Sequence, residues 1–138
     1  MVKPTKVGKE QRLPNFDELL LAAQASRTRA YAPYSKYAVG AAVLGSDGKL
    51  YSGCNVENAS YGLTICAERN AIAAMVAAGC TSIEAVAVVT ADGGTPCGAC
   101  RQVLSEFAVG ETIVLCAGDS SSHQFSVAEL LPSSFKLS

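Results

Sequence analysis

The sequence predicts an α/β protein, a three-layer α/β/α sandwich in which helices cover both faces of a mixed sheet. Segments with helical and strand patterns follow one another in the order α-β-β-α-β-α-β-α. The first two strand segments are joined by a short turn, which indicates an antiparallel hairpin beside strands connected through helices. The 138 residues are enough for one domain.

Helices are predicted from capping residues and apolar runs. Asn15, with Glu18 three residues later, has the spacing of an N-terminal capping box, and leucines and alanines continue the helix. Pro33 ends this helix near Tyr31, because a residue before proline avoids helical geometry. The predicted helices are residues 15–31, 66–78, 98–107 and 127–131.

Strands are predicted from short Val- and Ala-rich runs between turn residues. Ile83–Thr90 is a continuous apolar run, which is typical of a central strand buried on both faces. The helix before it is apolar around most of its circumference after Asn70, so we expect it to be buried on all sides. The polar segment around His123 is predicted to be a solvated loop. The predicted strands are residues 37–44, 50–55, 83–90 and 112–117.

The composition excludes several classes of function. Hydrophobic residues make up 49% and charged residues 17%, which indicates a folded chain. A formal net charge of −1 gives no electrostatic drive toward long nucleic acid. No apolar run is long enough for a membrane span, and the polar N-terminus does not resemble a secretory signal. We therefore expect a cytoplasmic protein with a flexible tail, residues 1–13, and one catalytic domain, residues 14–138.

Three of the six cysteines have a spacing that favours a metal site over disulfides. Cys97 and Cys100 are three residues apart at the start of a predicted helix, so their sulfurs project from the same side. Cys66 begins another predicted helix and adds a third ligand if the two helices start side by side. A helix N-terminus favours the thiolate form of cysteine. Three protein ligands with one open position are the pattern of catalytic zinc.

Two neighbouring residues add chemistry to this set. Glu68 stands two positions after Cys66 and can reach over the open coordination position as a general acid and base. A water bound to zinc has a pKa of about 7, so hydroxide is available at neutral pH. Because three thiolates outweigh the charge of one Zn²⁺, we expect the Arg69 guanidinium to donate to them and restore the electrophilicity of the metal.

The order Cys-Ala-Glu followed by Pro-Cys-x-x-Cys is the signature of zinc-dependent nucleobase deaminases. At these residues the sequence resembles the small cytidine deaminases with three cysteine ligands, and the resemblance covers residues 31–135. It includes the segments Tyr31–Tyr37, Val39–Ala42, Gly53–Tyr61, Ile65–Arg69, Pro96–Gln102 and Glu129–Phe135.

The resemblance implies a fold, a reaction and a cofactor. The fold would be a cytidine deaminase-like three-layer α/β/α sandwich with a mixed five-stranded sheet. Enzymes of this family convert cytidine and deoxycytidine to uridine and deoxyuridine in pyrimidine salvage. Cys66, Cys97 and Cys100 would hold one Zn²⁺ per subunit, zinc hydroxide would attack C4, and Glu68 would shuttle the protons.

The resemblance also implies contacts with the substrate. Asn55 and Glu57 match the residues that bind the ribose 3′-hydroxyl, and residues two apart on an extended segment project the same way. The Ala67 N–H and the Thr95 carbonyl match backbone groups that hold the pyrimidine O2 and the leaving amine.

Three aromatic residues complete the match. Tyr37 stands where the family commonly has Phe against the base, so its hydroxyl needs a partner. Tyr61 and Phe135 match aromatic residues that line active sites across subunit contacts. The family is homotetrameric, which would explain the low proportion of charged residues in this chain.

Other interpretations remain open at this point. A structural zinc site would need a fourth thiol such as Cys54, and Cys97 with Cys100 could be the redox dithiol of a thioredoxin-like protein. A deaminase of nucleoside antibiotics would share the zinc motif but not the pair Asn55 and Glu57. A polynucleotide-editing deaminase would need a basic groove, which the near-neutral charge disfavours.

Overall fold

The computed structural model describes residues 15–137, so the predicted tail, residues 1–13, lies outside the described residues. The helices are α1 (Phe16–Arg27), α2 (Ala67–Ala77), α3 (Gly98–Phe107) and α4 (Val127–Leu130), with a 3-10 helix at Tyr61–Leu63. The strands are β1 (Gly40–Gly45), β2 (Leu50–Cys54), β3 (Ile83–Val89), β4 (Ala108–Ala117) and β5 (Ser122–Ser126). Within residues 15–137, no helix combines the length and apolar character needed to cross a membrane.

The five strands form one mixed sheet in the order β2-β1-β3-β4-β5. β1 is antiparallel to β2 and β3, the pair β3 and β4 is parallel, and β5 is antiparallel to β4. The predicted hairpin and the mixed character of the sheet are therefore confirmed.

Side chains alternate along the strands between two cores, as the period of a β-strand requires. On one face α1 contributes Leu19 and Ala23, which pack against small strand residues such as Ala42 and Ala87. The opposite face packs against α2, α3 and α4, and its buried side chains include Val43, Val86, Val114, Ile72, Met75, Leu104 and Leu130. The predicted three-layer architecture is thus confirmed.

Glycines let two helices approach the sheet closely. A Cβ on Gly40 would lie 2.0 Å from the Ala23 carbonyl oxygen in α1. A Cβ on Gly53 would lie 2.6 Å from the Ala71 nitrogen in α2. Because real Cβ atoms do not tolerate such distances, each helix is seated against a position that only glycine can fill.

Some predicted boundaries were wrong. α1 ends at Arg27 rather than near Tyr31, and β1 begins at Gly40 rather than at Tyr37. Just before β1 the chain is bonded by Asn55, whose side chain contacts the Val39 N–H and the Tyr37 carbonyl and whose backbone N–H donates to the Val39 carbonyl. The segment around His123 is an edge strand, β5, rather than a loop. Its residues are mostly exposed and polar, so no apolar alternation marks it in the sequence.

α2 is not buried on all sides within one chain, contrary to the prediction. Its inner face is buried and includes Glu68, Ala71 and Met75. Its outer face, which includes Ala73 and Val76, is exposed. Apolar composition alone therefore did not reveal which side of the helix packs against the sheet.

α3 passes directly into β4. Phe107 is the last residue of the helix, and Ala108 is the first of the strand. The Ala108 N–H still donates to the Leu104 carbonyl, while Ala108 already pairs with Ile83 in β3. The next ladder pair joins Ala85 to Ile113, so residues 109–112 bulge out between the helix and the regular part of the strand.

Candidate active site

The N-termini of α2 and α3 lie side by side and bring three cysteines together. Cys66 is the N-cap of α2, Cys97 is the N-cap of α3, and Cys100 lies in the first turn of α3. Their Sγ atoms all lie within 4.8 Å of one another, and those of Cys66 and Cys97 are 3.8 Å apart.

The three sulfurs fit a tetrahedral metal ion. Thiolates about 2.3 Å from a zinc ion in a tetrahedral site lie about 3.8 Å from one another. The hydrogen bond from the Cys100 thiol and the nearby Arg69 guanidinium lower the pKa of Cys66 to about 5. The hydrogen bond to Cys66 and burial raise the pKa of Cys100. The sulfurs thus share a proton that a bound cation would displace.

The other three cysteines lie outside this cluster. The Cys54 thiol donates to the Arg29 carbonyl at 3.5 Å, and the Cys80 thiol donates to the Ser82 carbonyl at 3.5 Å. Burial raises the pKa of Cys116 to about 11. The fourth position of a tetrahedral site is therefore not filled by a thiol, and the arrangement does not support a closed structural site completed by Cys54.

Glu68 brings a carboxyl group to the same place. It lies in the first turn of α2 with a relative exposure of 4%, and it is the only buried acidic side chain among residues 15–137. Burial raises its pKa, and the negative charge of Cys66 acts in the same direction. A carboxyl group whose pKa is raised in this way is suited to accept a proton and pass it on.

Arg69 lies beside the sulfurs, where the sequence analysis placed it. Its Nη2 donates to the Cys66 Sγ at 3.4 Å. Its Nε is buried without a hydrogen-bond partner among the described residues. Since an unpaired buried donor is costly, the position of this guanidinium is favoured by attraction to the thiolates.

A cavity of about 440 Å³ opens in front of the cluster, which is within the size range of small-molecule sites. The buried Glu68, the half-buried Cys66 and the exposed Cys97 form its inner end, and Tyr37, which is 40% exposed, lies at its outer end. Its lining residues are Ser35, Tyr37, Val39, Asn55, Glu57, Thr64, Cys66, Ala67, Glu68, Val88, Thr90, Gly94, Thr95 and Cys97.

A larger and more open cleft of about 650 Å³ lies at the C-terminal end of α1. Arg27 in this cleft donates to the Ala38 carbonyl at 3.0 Å and pairs with Asp119 at 3.6 Å. None of the residues lining it is a cysteine. The reactive groups are therefore concentrated in the smaller cavity.

Asn55 and Glu57, which follow β2, both reach the smaller cavity. The Asn55 Oδ1 accepts the Val39 N–H at 2.9 Å, and its Nδ2 donates to the Tyr37 carbonyl at 2.8 Å. The Glu57 carboxylate accepts the hydroxyl and the backbone N–H of Ser35, which keep the pKa of Glu57 low. One Asn55 Nδ2 hydrogen and further Glu57 lone pairs are not used in these bonds.

Two backbone groups singled out in the sequence also line the cavity. Ala67 is the first residue of α2, where a helical N–H has no partner within the helix. The segment of Thr95 is held by Arg101, which donates to the Pro96 carbonyl at 2.7 Å and to the Thr95 hydroxyl at 2.9 Å. Arg101 also donates to the Leu130 carbonyl at 2.9 Å, and so joins this loop to α4.

The Tyr37 hydroxyl has the partner that the sequence analysis required. It donates to the Asp92 carboxylate at 2.7 Å. Asp92 was not among the expected site residues. It lies far from Tyr37 in the sequence, and its only signal is its position in the loop before Pro96.

Tyr61 and Phe135 do not line the cavity of their own chain. The Tyr61 ring is 78% exposed and packs edge to face against Tyr34, with 6.4 Å between ring centroids. Phe135 is 68% exposed, and its carbonyl accepts a hydrogen bond from Gln102. Neither ring has a role inside this pocket within a single chain.

Known proteins are similar to this chain in sequence and in fold. Residues 15–116 match the family model described as the cytidine and deoxycytidylate deaminase zinc-binding region. A cytidine deaminase of Sporosarcina psychrophila is 44% identical over 124 residues, covering 88% of this chain and 91% of that protein. A cytidine deaminase of Mycobacterium tuberculosis is 41% identical over 129 residues, covering 91% of this chain and 94% of that protein.

Solved structures agree with these matches. A Burkholderia pseudomallei cytidine deaminase superposes with a TM-score of 0.83 at 45% identity, covering 88% of this chain and 100% of that one. A Mycobacterium tuberculosis cytidine deaminase superposes with a TM-score of 0.77 at 40% identity, covering 90% of this chain and 99% of that one. With a family model matching most of the chain and relatives aligned over nearly all of it, the chain belongs to the cytidine and deoxycytidylate deaminase family of hydrolases.

Proposed function

We propose that this protein is a zinc-dependent cytidine deaminase that hydrolyses the 4-amino group of cytidine and deoxycytidine. The products are ammonia and uridine or deoxyuridine, as in pyrimidine salvage. The observation that carries the proposal is the buried Glu68 carboxyl group beside the sulfurs of Cys66, Cys97 and Cys100. The names of the relatives support the same substrate.

Cys66, Cys97 and Cys100 would hold one Zn²⁺ per chain, since soft thiolate ligands in a tetrahedral arrangement suit zinc. When bound, the ion lowers the pKa of water to about 7 and so supplies a nucleophile at neutral pH. Arg69 withdraws negative charge from the thiolates through its hydrogen bond to Cys66. Unpaired thiols of this kind fit the reducing cytoplasm, where we place the protein.

Glu68 moves the protons of the reaction. Its carboxylate takes one proton from the attacking water and gives it to N3 of the pyrimidine. It then takes the remaining proton of the hydroxyl added at C4 and delivers it to the departing 4-amino nitrogen, which leaves as ammonia. Burial raises its pKa, which favours a group that changes protonation state within each turnover. Each turnover returns Glu68 to its starting state.

The rest of the pocket orients the nucleoside. The Ala67 N–H donates to the pyrimidine O2, and the Thr95 carbonyl accepts from the 4-amino group. The Tyr37 ring packs against the base. Glu57 and the remaining Asn55 N–H bind the ribose 3′-hydroxyl, which favours an ordinary nucleoside over an antibiotic analogue.

The charge of the pocket favours a free nucleoside over a nucleotide or a polynucleotide. None of the lining residues is Lys, Arg or His, whereas Glu57 and Glu68 are acidic. Lys36 influences Glu57 electrostatically but lies outside the lining. Phosphate binding normally uses arginine or lysine, and the two helix N-termini at this pocket carry the cysteine cluster and Glu68. A 5′-phosphate near Glu57 would be repelled.

We further propose that the active enzyme is a homotetramer in which Tyr61 and Phe135 serve neighbouring pockets. Both rings are largely exposed in the single chain, on a protein with few charged residues. Large exposed apolar groups of this kind favour association. Light scattering of the active protein checks this, and a monomeric mass at assay concentration would contradict it.

The function is tested with an ultraviolet assay on cytidine and deoxycytidine, alongside elemental analysis. We expect turnover with zinc close to one per chain, loss of turnover after chelation, and recovery on adding zinc. Cys100→Ser should lose zinc and activity, whereas the matched variant Cys80→Ser, outside the cluster, should keep both. A zinc-loaded protein that leaves cytidine unchanged would refute the substrate, and an active metal-free protein would refute the role of zinc.

A further inference from the structure

The loop between β3 and α3 is tied together by the side chains of Asp92 and Thr90. The Tyr37 hydroxyl donates to the Asp92 Oδ1 at 2.7 Å, across the mouth of the cavity. The same oxygen accepts the Thr90 hydroxyl at 3.1 Å and the Gly94 N–H at 3.1 Å. The Thr90 hydroxyl oxygen in turn accepts the N–H groups of Gly93 and Gly94 at 2.8 and 3.0 Å.

At neutral pH, Tyr37 is the donor and Asp92 the acceptor of the hydrogen bond between them. The hydrogen bonds from Tyr37 and Thr90 keep the pKa of Asp92 below its ordinary value. Burial raises the pKa of Tyr37. A neutral hydroxyl therefore donates to a carboxylate, and such charge-assisted bonds are stronger than those between neutral groups.

The back of this loop is held separately, by the turn after β4. Asp92 forms an isolated bridge with Gly118, and the Asp119 N–H donates to the Ala91 carbonyl at 3.0 Å. A Cβ on Gly118 would lie 2.5 Å from the Gly93 nitrogen, so the two segments are in close contact. The Tyr37 hydroxyl fixes the Asp92 end of the loop from the front, while Arg101 holds its other end at Thr95 and Pro96.

The front of the loop forms one wall of the cavity. Thr90, Gly94 and Thr95 line it together with Tyr37. A Cβ on Gly94 would lie 3.0 Å from the Tyr37 hydroxyl oxygen, so the loop and the ring already touch. The bond to Asp92 therefore ties the wall that carries Thr95 to the ring of Tyr37, in addition to the bonds by which Arg101 holds Thr95 from the side of α3.

We propose that Tyr37 and Asp92 are positioning residues that hold the Thr95 carbonyl in place to distinguish an amino group from an oxygen at C4. The inference rests on the proposed function, in which this carbonyl accepts from the 4-amino group. A fixed carbonyl attracts the amino group of cytidine and repels the C4 oxygen of uridine. If the loop relaxes, the carbonyl turns away and the preference for substrate over product falls.

The test compares KM and kcat for cytidine with the inhibition constant of uridine in Tyr37→Phe, Asp92→Ala and the double variant. Each single variant should raise KM for cytidine about 10-fold, the usual cost of a hydrogen bond to a charged group. The inhibition constant of uridine should not rise by more than about 2-fold, and a decrease is consistent with the proposal, because a relaxed carbonyl repels the C4 oxygen of uridine less. The double variant should be no worse than either single variant, since both remove one interaction.

Two further variants separate positioning from folding. Tyr51→Phe removes a similar hydrogen bond, from the Tyr51 hydroxyl to Asp47 in the β1–β2 hairpin outside the cavity. This variant should leave KM for cytidine and the inhibition constant of uridine unchanged. Asp92→Asn keeps an acceptor oxygen and should restore most of the cytidine affinity lost in Asp92→Ala. Thermal midpoints measured on all variants report stability independently.

Equal changes in KM for cytidine and in the inhibition constant of uridine would overturn the positioning role, and so would additive effects in the double variant. In either case, turnover of cytidine by the wild-type protein would leave the proposed function intact. Wild-type protein that does not convert cytidine would instead refute the proposed function, and this inference with it.

Discussion

The two ends of the pocket are built in different ways. At the inner end, Cys66, Cys100 and Glu68 lie at the N-termini of two helices that pack in the core, and Glu68 is only 4% exposed. At the outer end, Tyr37 and Glu57 lie on loops, and Tyr37 is 40% exposed. Packing places Glu68 and Cys100, although Cys97 is exposed, whereas hydrogen bonds between loops place the groups proposed to recognise the substrate.

This difference separates the expected consequences of substitution. Changes at the inner end should alter the chemical step or metal binding while leaving substrate affinity almost unchanged. Changes at the outer end should alter affinity while leaving the rate of the bound substrate almost unchanged. Three substitutions, ordered from the largest effect to the smallest, test that separation.

Glu68→Gln should lower kcat by about 10²- to 10⁴-fold, because glutamine has the same shape but cannot transfer a proton. Zinc content and KM should stay close to those of the wild type. Steady-state kinetics with elemental analysis measure both. A fully active Glu68→Gln enzyme would show that this carboxyl group takes no part in the mechanism. The proposed difference between the two ends of the pocket would then be wrong for the inner end.

Arg69→Ala should weaken zinc retention or activity by about 10- to 100-fold, the usual cost of losing a group that supports metal ligands. The guanidinium donates to Cys66, and alanine leaves that thiolate without the bond. Competition with a chromogenic chelator measures zinc affinity, and Arg29→Ala, an exposed position outside the cavity lining, is the matched control. Unchanged retention and activity would exclude charge compensation by Arg69.

Glu57→Gln should raise KM for cytidine by about 10-fold with little change in kcat, since a charged acceptor for a hydroxyl is lost. The effect should disappear with 3′-deoxycytidine. Equal losses for both nucleosides would rule out contact with the 3′-hydroxyl. Both residues also support the loop before β1, Asn55 through Tyr37 and Val39 and Glu57 through Ser35. A thermal midpoint measured on Glu57→Gln therefore separates loss of this support from loss of the contact with the 3′-hydroxyl.

The inner end was the easier part to predict from the sequence. The pairs Cys66 with Glu68 and Cys97 with Cys100 each lie within one helical turn, so local spacing determines how their side chains project. Placing both helix N-termini together required only the α/β/α architecture, which the order of elements indicated and the structure confirms.

The outer end depends on contacts that local spacing does not encode. Tyr37 and Asp92 meet only because the strands between them fold into one sheet. The chain from Tyr37 to Val39 was predicted to be part of β1. Its backbone is bonded by Asn55 rather than by a paired strand, so it lies outside the sheet. β5, around His123, escaped detection because an exposed edge strand needs no apolar face.

The irregular start of β4 bears on where this chain can change its length during evolution or engineering. Ala108 pairs with Ile83 in β3, but the next ladder pair joins Ala85 to Ile113, so residues 109–112 bulge out of the ladder. One residue added within this bulge lengthens it and leaves the register from Ile113 to Ala117 unchanged. The hairpin tip at Gly48, where an added Cβ meets nothing within 4 Å, is a second place that can take insertions.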